Sequence, residues 1–375
     1  MSAGHTLARY VVPGRVLAPT RHLLARGLAS IGSTLTAGDA GAALPVALGL
    51  DVSDACNLAC RVCSREVDRD ARRRPFLPRE DARRILEEVR PGYVSLSGYG
   101  ETMLHRELAR IVADAVALGA QVNVVSNGTL LDAACGDALI DAGLSRLKVS
   151  LDAATPAAFA RVREGGDLEA VLRNVEGLQA RVRARGSGPV VEVQMVAFRE
   201  NLAELIPMLA LCHERLGVDL NVMGMFTYGG QEAFTERALE DVPATREALA
   251  RARDVAARRG MWRARASLGA AIDSLSGEAA RKPCLVPWYS AIVSTDGDLY
   301  PCCHHTIRGT CVGNVLRDGF AAVWNGPAMG NFRRGLRNDR CGDRVCATCP
   351  EHDAGLAGVR RLVLLERGGG AAPSP

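Results

Sequence analysis

Cys56-Asn57-Leu58-Ala59-Cys60-Arg61-Val62-Cys63 is the stretch that decides how this chain is read. It sets three thiols in eight residues with the spacing Cys-x3-Cys-x2-Cys. The apolar run Pro45–Val52 directly before it reads as a buried strand, so the thiols stand where a strand gives way to a loop. Three thiolates converging from one tight loop suit an iron–sulfur cluster, which takes sulfur ligands. A [4Fe–4S] cluster has four ligand positions, so three cysteines leave one iron open. Tetrahedral zinc is the alternative. It too wants a fourth ligand, and the segment holds no histidine.

The rest of the chain is compatible with that reading. It has 375 residues, 48% hydrophobic and 23% charged, with a net charge of +4. These values exclude a fibrous or disordered chain, and the length favours two domains. The charge makes no case for nucleic acid, and no uncharged apolar run approaches a transmembrane segment of about 18 residues. Arg9, Arg15, Arg21 and Arg26 interrupt what a secretory signal would need, so a cytoplasmic location is expected. Lys148 and Lys282 are the only lysines, the codon signature of a GC-rich, bacterial genome. Of twelve cysteines, seven (Cys284, Cys302, Cys303, Cys311, Cys341, Cys346 and Cys349) crowd into the last third. In a large chain kept reduced, such clusters mean metal before disulfide.

Strand-like and helix-like segments alternate from Leu44 onward. The strands expected are Pro45–Val52, Tyr93–Ser97, Val122–Ser126, Arg146–Leu151, Val190–Val196 and Asp219–Met223. Helical patterns lie near Arg79–Val89, Leu104–Leu118, Leu131–Ala142, Leu168–Arg183, Leu202–Leu216 and Ala244–Arg259. Alternation of this kind predicts an α/β fold with a parallel sheet, and chemistry at the C-terminal ends of its strands. After Lys282 the text turns to Gly, Pro, Cys and short strands. The organisation expected is an N-terminal extension (1–44), a core (45–230), a helical linker (231–281), a Cys-rich domain (282–352) and a tail (353–375).

The Cys-x3-Cys-x2-Cys loop after the first strand resembles the defining motif of the radical SAM superfamily. The resemblance covers about residues 45–225. Ser97-Gly98-Tyr99-Gly100-Glu101, at the end of the second strand, looks like that family's Gly-Gly-Glu motif with a Tyr inserted. Ser126-Asn127-Gly128 ends the third strand, and Ser150 and Asp152 end the fourth. The resemblance implies a partial (β/α)6 TIM-like barrel. It also implies that Cys56, Cys60 and Cys63 hold a [4Fe–4S] cluster bound to S-adenosylmethionine, with Gly98, Gly100, Glu101, Ser126, Asn127, Ser150 and Asp152 around the cofactor. One electron would then cleave S-adenosylmethionine to methionine and a 5′-deoxyadenosyl radical, which abstracts hydrogen from a substrate.

The second cysteine group resembles the SPASM and twitch auxiliary-cluster domains. Cys284 is followed by twelve residues, Gly297, four residues and Cys302; forty-three residues later Cys346 pairs with Cys349. Asp296-Gly297-Asp298 reads as the turn of a hairpin between Ala291–Ser294 and Leu299–Tyr300. The further Cys-x5-Cys-x3-Cys run of the full SPASM pattern is missing. The resemblance therefore implies one auxiliary [4Fe–4S] cluster on Cys284, Cys302, Cys346 and Cys349. Cys303, Cys311 and Cys341 are left over, and Cys303 or Cys341 can replace one of those four. Cys311 is a candidate hydrogen-atom donor. His304 and His305 with Cys346 and Cys349 form a zinc alternative. Arg72, Arg73 and Arg74 are candidates for gripping an anion, or simply a solvated basic loop.

On this reading the chain is a radical SAM oxidoreductase or epimerase acting on a small-molecule substrate, an aminosugar or aminocyclitol. Its reductant would be a flavodoxin or ferredoxin. The alternative is radical modification of a ribosomally made peptide. A second alternative is a non-catalytic iron–sulfur or zinc-binding protein, against which the cofactor motifs argue.

Overall fold

The computed structural model describes residues 43–67, 74–226, 234–275, 284, 286–306, 309–337, 343–347 and 349. The N-terminal extension, the tail, Cys341, Arg72 and Arg73 lie outside the described residues. Six strands form the parallel core: β1 (Ala47–Asp51), β2 (Tyr93–Ser97), β3 (Gln121–Ser126), β4 (Arg146–Ser150), β5 (Val190–Ala197) and β6 (Asp219–Gly224). Each pairs in parallel with the next, in chain order. That is the expected α/β barrel-like half, and every strand ends within two residues of its sequence-based position.

The crossovers are helical, as a parallel pairing requires. They include α1 (Arg79–Val89), α2 (Leu108–Ala117), α3 (Ala133–Asp141) and α4 (Leu168–Arg185). Asp132 and Asp167 cap α3 and α4 by accepting backbone N–H bonds. The fifth crossover, expected as one helix over Leu202–Leu216, is broken into three. A 3-10 turn (Arg199–Glu204) leads to α5 (Leu205–Ala210) and a π turn (Leu211–Leu216). The cause at its start is Asn201, whose buried amide donates to the carbonyls of Asp152 and Val196. Those bonds tie the exits of β4 and β5 together and hold the 3-10 turn in place.

Where one linker helix was expected, two helices pack against each other: α6 (Pro243–Arg258) and α7 (Trp262–Leu275). Asp219 at the start of β6 accepts the N–H bonds of Arg263 and Ala264, capping α7 against the sheet. Among the described residues no helix is long and apolar enough to cross a membrane.

The sheet runs on into the Cys-rich segment. Strand β7 (Ser290–Val293) lies parallel to β1 on the side away from β2. Strand β8 (Asp298–Tyr300) then folds back on β7, and β9 (Gly313–Asn314) on β8. The described sheet has nine strands in the order β9-β8-β7-β1-β2-β3-β4-β5-β6. The Asp296-Gly297-Asp298 hairpin forms as expected, with Gly297 at φ +87°. Helix α8 (Pro327–Arg337) follows, with Arg333 wholly buried and stacked on Trp324.

One face of the core strands is apolar. Leu48, Leu50, Val94, Leu96, Val122, Val124, Leu147, Val149 and Val193 are buried in one cluster with residues of α1, α2 and α4. The opposite face carries Asp51, Ser95, Asn123, Arg146, Lys148 and Glu192, all buried. Parallel strands covered on both faces usually read as unbroken apolar runs. Here strict alternation leaves a polar inner wall. Its floor is a charged group: Glu192 pairs with Arg146, with Lys148 at 3.8 Å and with Arg263 of α7 at 3.0 Å.

Candidate functional site at the strand ends

The cysteine loop leaves β1 and is clamped by backbone bonds from the end of β2. The N–H of Gly100 donates to Ser53 O at 3.0 Å and that of Glu101 to Ala55 O at 2.8 Å. On the far side, Ala59–Cys60 pairs antiparallel with Arg163–Glu164. The glycines serve this clamp. A Cβ on Gly100 would stand 2.1 Å from Ala55 O, and one on Gly98 would stand 2.9 Å from Ser53 O. They let the backbone at the end of β2 close on the backbone of the cysteine loop. Gly100→Ala is therefore expected to push the loop aside and cost the protein most of the iron held there, with its far-UV spectrum unchanged. Iron content equal to the parent's would refute this.

Glu101 is buried and accepts three bonds: from the Met103 N–H, the Ser126 hydroxyl at 2.6 Å and the Asn127 N–H at 2.7 Å. It thereby fastens β2 to β3. Burial pushes its carboxyl above the ordinary value, against those hydrogen bonds. Asn127 donates to Asn57 Oδ1 at 3.0 Å, and Asn57 donates to Thr129. The expected cofactor residues Glu101, Ser126 and Asn127 thus form a chain of hydrogen bonds that ends inside the cysteine loop. Ser150 is half-buried at the end of β4.

Asp152 is buried and ion-paired with Arg163 at 2.7 Å, and it accepts the Val196 N–H. Arg163 is itself buried beside Cys60 and Cys63, its charge acting on both thiols. Sequence reading missed it, because it stands 103 positions after Cys60 and 100 after Cys63; the two-residue pairing with Ala59–Cys60 brings it in. Among the described residues its Nε–H has no hydrogen-bond partner. Burial pushes Cys60 up to about 11 and also raises Cys63, with the other loop thiols adding to the effect. A loop that resists bare thiolates, beside a buried cation with an unused donor, fits an anionic metal–sulfur group and its bound carboxylate.

The second thiol group also assembles. Cys302 is half-buried, with the thiols of Cys303, Cys284 and Cys349 near enough to act on it, and desolvation raises its pKa. Cys284 packs on the cluster that holds Cys346, and the Cys349 N–H donates to Cys346 O. The four expected ligands are thus neighbours, with Cys303 beside them. Cys311 is exposed instead, its thiol donating to Gly313 O at 3.5 Å. A cavity of about 260 Å³ separates the two thiol groups. Its walls include Cys63 and Arg65 on one side, Ser97 at the end of β2 and Tyr99 just after it, and Cys303 and Thr306 on the other. The structure thus puts Cys303, and not Cys311, on this cavity. Tyr99, the residue inserted in the glycine motif, donates its hydroxyl to Thr306 O and joins the two halves. Arg74 is engaged by Asp81 and Asp296.

A family model for the Radical SAM superfamily matches residues 50–212, and one for the SPASM iron–sulfur cluster-binding domain matches residues 284–350. A PqqA peptide cyclase of Xanthomonas campestris pv. campestris is 31% identical over 346 residues, 88% of this chain and 86% of the relative. The chain belongs to the radical SAM superfamily. Its radical SAM half binds a [4Fe–4S] cluster and S-adenosylmethionine, and its SPASM half is an auxiliary iron–sulfur domain. A PqqA peptide cyclase of Streptomyces rochei is 29% identical over 344 residues, 88% of each chain. Among solved structures, Streptococcus suis SuiB bound to precursor peptide SuiA has a TM-score of 0.61 at 16% identity, covering 78% of this chain and 67% of that one. The enzyme anSMEcpe with bound AdoMet has a TM-score of 0.58 at 15% identity, covering 86% and 98%. At such identities these two establish the radical SAM fold alone.

Proposed function

We propose that this radical SAM enzyme modifies a peptide. The observation that carries the proposal is the match to peptide cyclases, which runs through both halves of the chain at up to 31% identity. It displaces the aminosugar or aminocyclitol put first by sequence reading and favours the peptide alternative. Cys56, Cys60 and Cys63 hold the cofactor cluster, and Cys284, Cys302, Cys346 and Cys349 hold one auxiliary cluster. When bound, the reduced cofactor supplies a 5′-deoxyadenosyl radical that takes one hydrogen atom from the substrate. Arg163 balances negative charge at the loop. Gly98, Gly100, Glu101, Ser126, Asn127 and Asp152 hold the strand ends in register around it, and Ser150 offers a hydroxyl.

The cavity between the two thiol groups admits one substrate side chain, whose polar atoms meet Asp51, Ser95 and Ser97. Cross-linking of two substrate carbons removes two hydrogens. One would be carried off on the methyl carbon of 5′-deoxyadenosine; the other would leave as a proton and an electron, for which a cluster held by Cys284, Cys302, Cys346 and Cys349 would be the acceptor and a flavodoxin- or ferredoxin-type protein the onward carrier.

The test is anaerobic turnover with short peptides encoded beside the gene, compared with aminocyclitols. A peptide should stimulate 5′-deoxyadenosine formation and become two hydrogens lighter by mass spectrometry. An aminocyclitol converted to a carbonyl or an epimer, with every such peptide inert, would sink the proposal.

A further inference from the structure

We propose that His305 tunes the reduction potential of the auxiliary cluster by donating a hydrogen bond to the Cys346 sulfur. The inference deepens the function proposed above and rests on Cys346 being an auxiliary-cluster ligand. His305 lies in the turn Cys303–Thr306 and is 0% exposed. Its Nδ1 accepts the backbone N–H of Thr310 at 3.0 Å. An amide N–H only donates, so Nδ1 carries no proton and the ring proton sits on Nε2. Nε2 lies 3.3 Å from Cys346 Sγ, so its hydrogen is directed at the sulfur.

The surroundings lock that ring. Thr310 donates its hydroxyl to Asp343 Oδ2 at 2.5 Å. Asp343 Oδ1 accepts the N–H of Val345 at 2.8 Å and of Cys346 at 3.3 Å, capping the short helix that carries the thiol. Phe332 of α8 meets the imidazole edge-on, ring centroids 5.0 Å apart. Rotation about χ2 would lose both the Thr310 and the Cys346 bond.

The donor atoms of His305, Asp343 and Cys346 lie within 4.8 Å of one another, a spacing that a metal ion also accepts. Yet Nδ1 and both Asp343 oxygens already serve protein donors. Of this trio Nε2 and the sulfur are left to a metal, and the thiols that would complete its four ligands are those assigned to the auxiliary cluster. The hydrogen-bond role is what this geometry leaves.

Hydrogen bonds to cluster sulfurs favour the more negative, reduced cluster, and so raise the potential. The experiment uses the full reconstituted chain with an EPR-monitored redox titration of the auxiliary signal. His305→Leu is expected to keep its iron and to show about a tenfold lower reduced-to-oxidised ratio at a given potential, a midpoint about 59 mV lower. His305→Gln, whose amide also donates, should recover most of the shift. With ¹⁵N-histidine in the unsubstituted protein, pulsed EPR should find a weak nitrogen coupling to the auxiliary cluster. An unchanged midpoint in His305→Leu would overturn the proposal. So would absence of any nitrogen coupling, or a strong one with iron lost from both variants, which would make His305 a ligand. Cys346→Ala isolates the underlying reading: it should lose about four irons, and if it keeps them the ligand assignment itself falls.

Discussion

Protein with Cys56, Cys60 and Cys63 all changed to alanine is expected to form no 5′-deoxyadenosine from S-adenosylmethionine under reducing conditions. Cleavage of a carbon–sulfur bond to a radical lies outside the reach of acid–base side chains, so the protein has no second route once the cluster is gone. The same variant should retain about four irons where the parent holds about eight, because each cubane has four and the SPASM half keeps its own cysteines. Anaerobic reconstitution followed by iron and sulfide analysis reads the count, and chromatography reads the nucleoside. Undiminished cleavage in the triple variant would refute the loop as cofactor site. About twelve irons in the parent, or stoichiometric zinc, would refute a single auxiliary cluster.

The second large effect is expected at Arg163. Its guanidinium is buried and paired with Asp152 at 2.7 Å, and the Asp152 side chain is 3% exposed. Arg163→Ala leaves that carboxylate without its counter-charge, and breaking a buried pair from one side costs about 3–5 kcal/mol. Chemical denaturation of the metal-free protein measures this loss. The double variant Arg163→Met with Asp152→Asn removes both charges and should regain most of the stability. It should not regain function at the loop. The thiols Cys60 and Cys63 would still lack the buried cation whose charge acts on both, and its Nε–H would be gone. A charge-assisted bond of about 1.5–3 kcal/mol predicts about 10–100-fold weaker S-adenosylmethionine binding in the reconstituted double variant. A single variant within about 1 kcal/mol of the parent would refute the counter-charge role, and a double variant with full cofactor affinity would refute the role at the loop.

Both predictions concern one end of the sheet, yet they were differently visible in the sequence. The three loop cysteines lie within eight residues of the chain, and their spacing points to a metal–sulfur group. Arg163 becomes their neighbour only because Ala59–Cys60 forms a two-residue ladder with Arg163–Glu164. No periodicity announces a ladder that short. The same holds for His305. Its role depends on the Thr310 amide and the Cys346 sulfur, one five residues away and the other 41.

Some of what was missed did leave a signal. Arg146-Leu147-Lys148-Val149-Ser150 alternates polar and apolar, as do Tyr93–Ser97 and Asp219–Met223. That alternation assigns a polar inner face to the sheet, and one of the chain's two lysines stands on it. The resemblance singled out the glycines of Gly98-Tyr99-Gly100 by their motif. What approaches them is the backbone of Ser53 and Ala55.

By itself, the sequence determined the order of strands and helices, the parallel α/β class, both thiol groups and the family to which they point. These rest on local periods and spacings, which a chain carries whether folded or not. Only the tertiary structure decided which groups meet across long separations. It joined β7 of the auxiliary half to β1, set Cys303 and Cys63 on one cavity, turned Cys311 outward and placed a buried arginine beside the loop. Those outcomes follow from backbone pairing and burial between distant segments, where the free energy of a contact depends on what else is excluded from water at the same place.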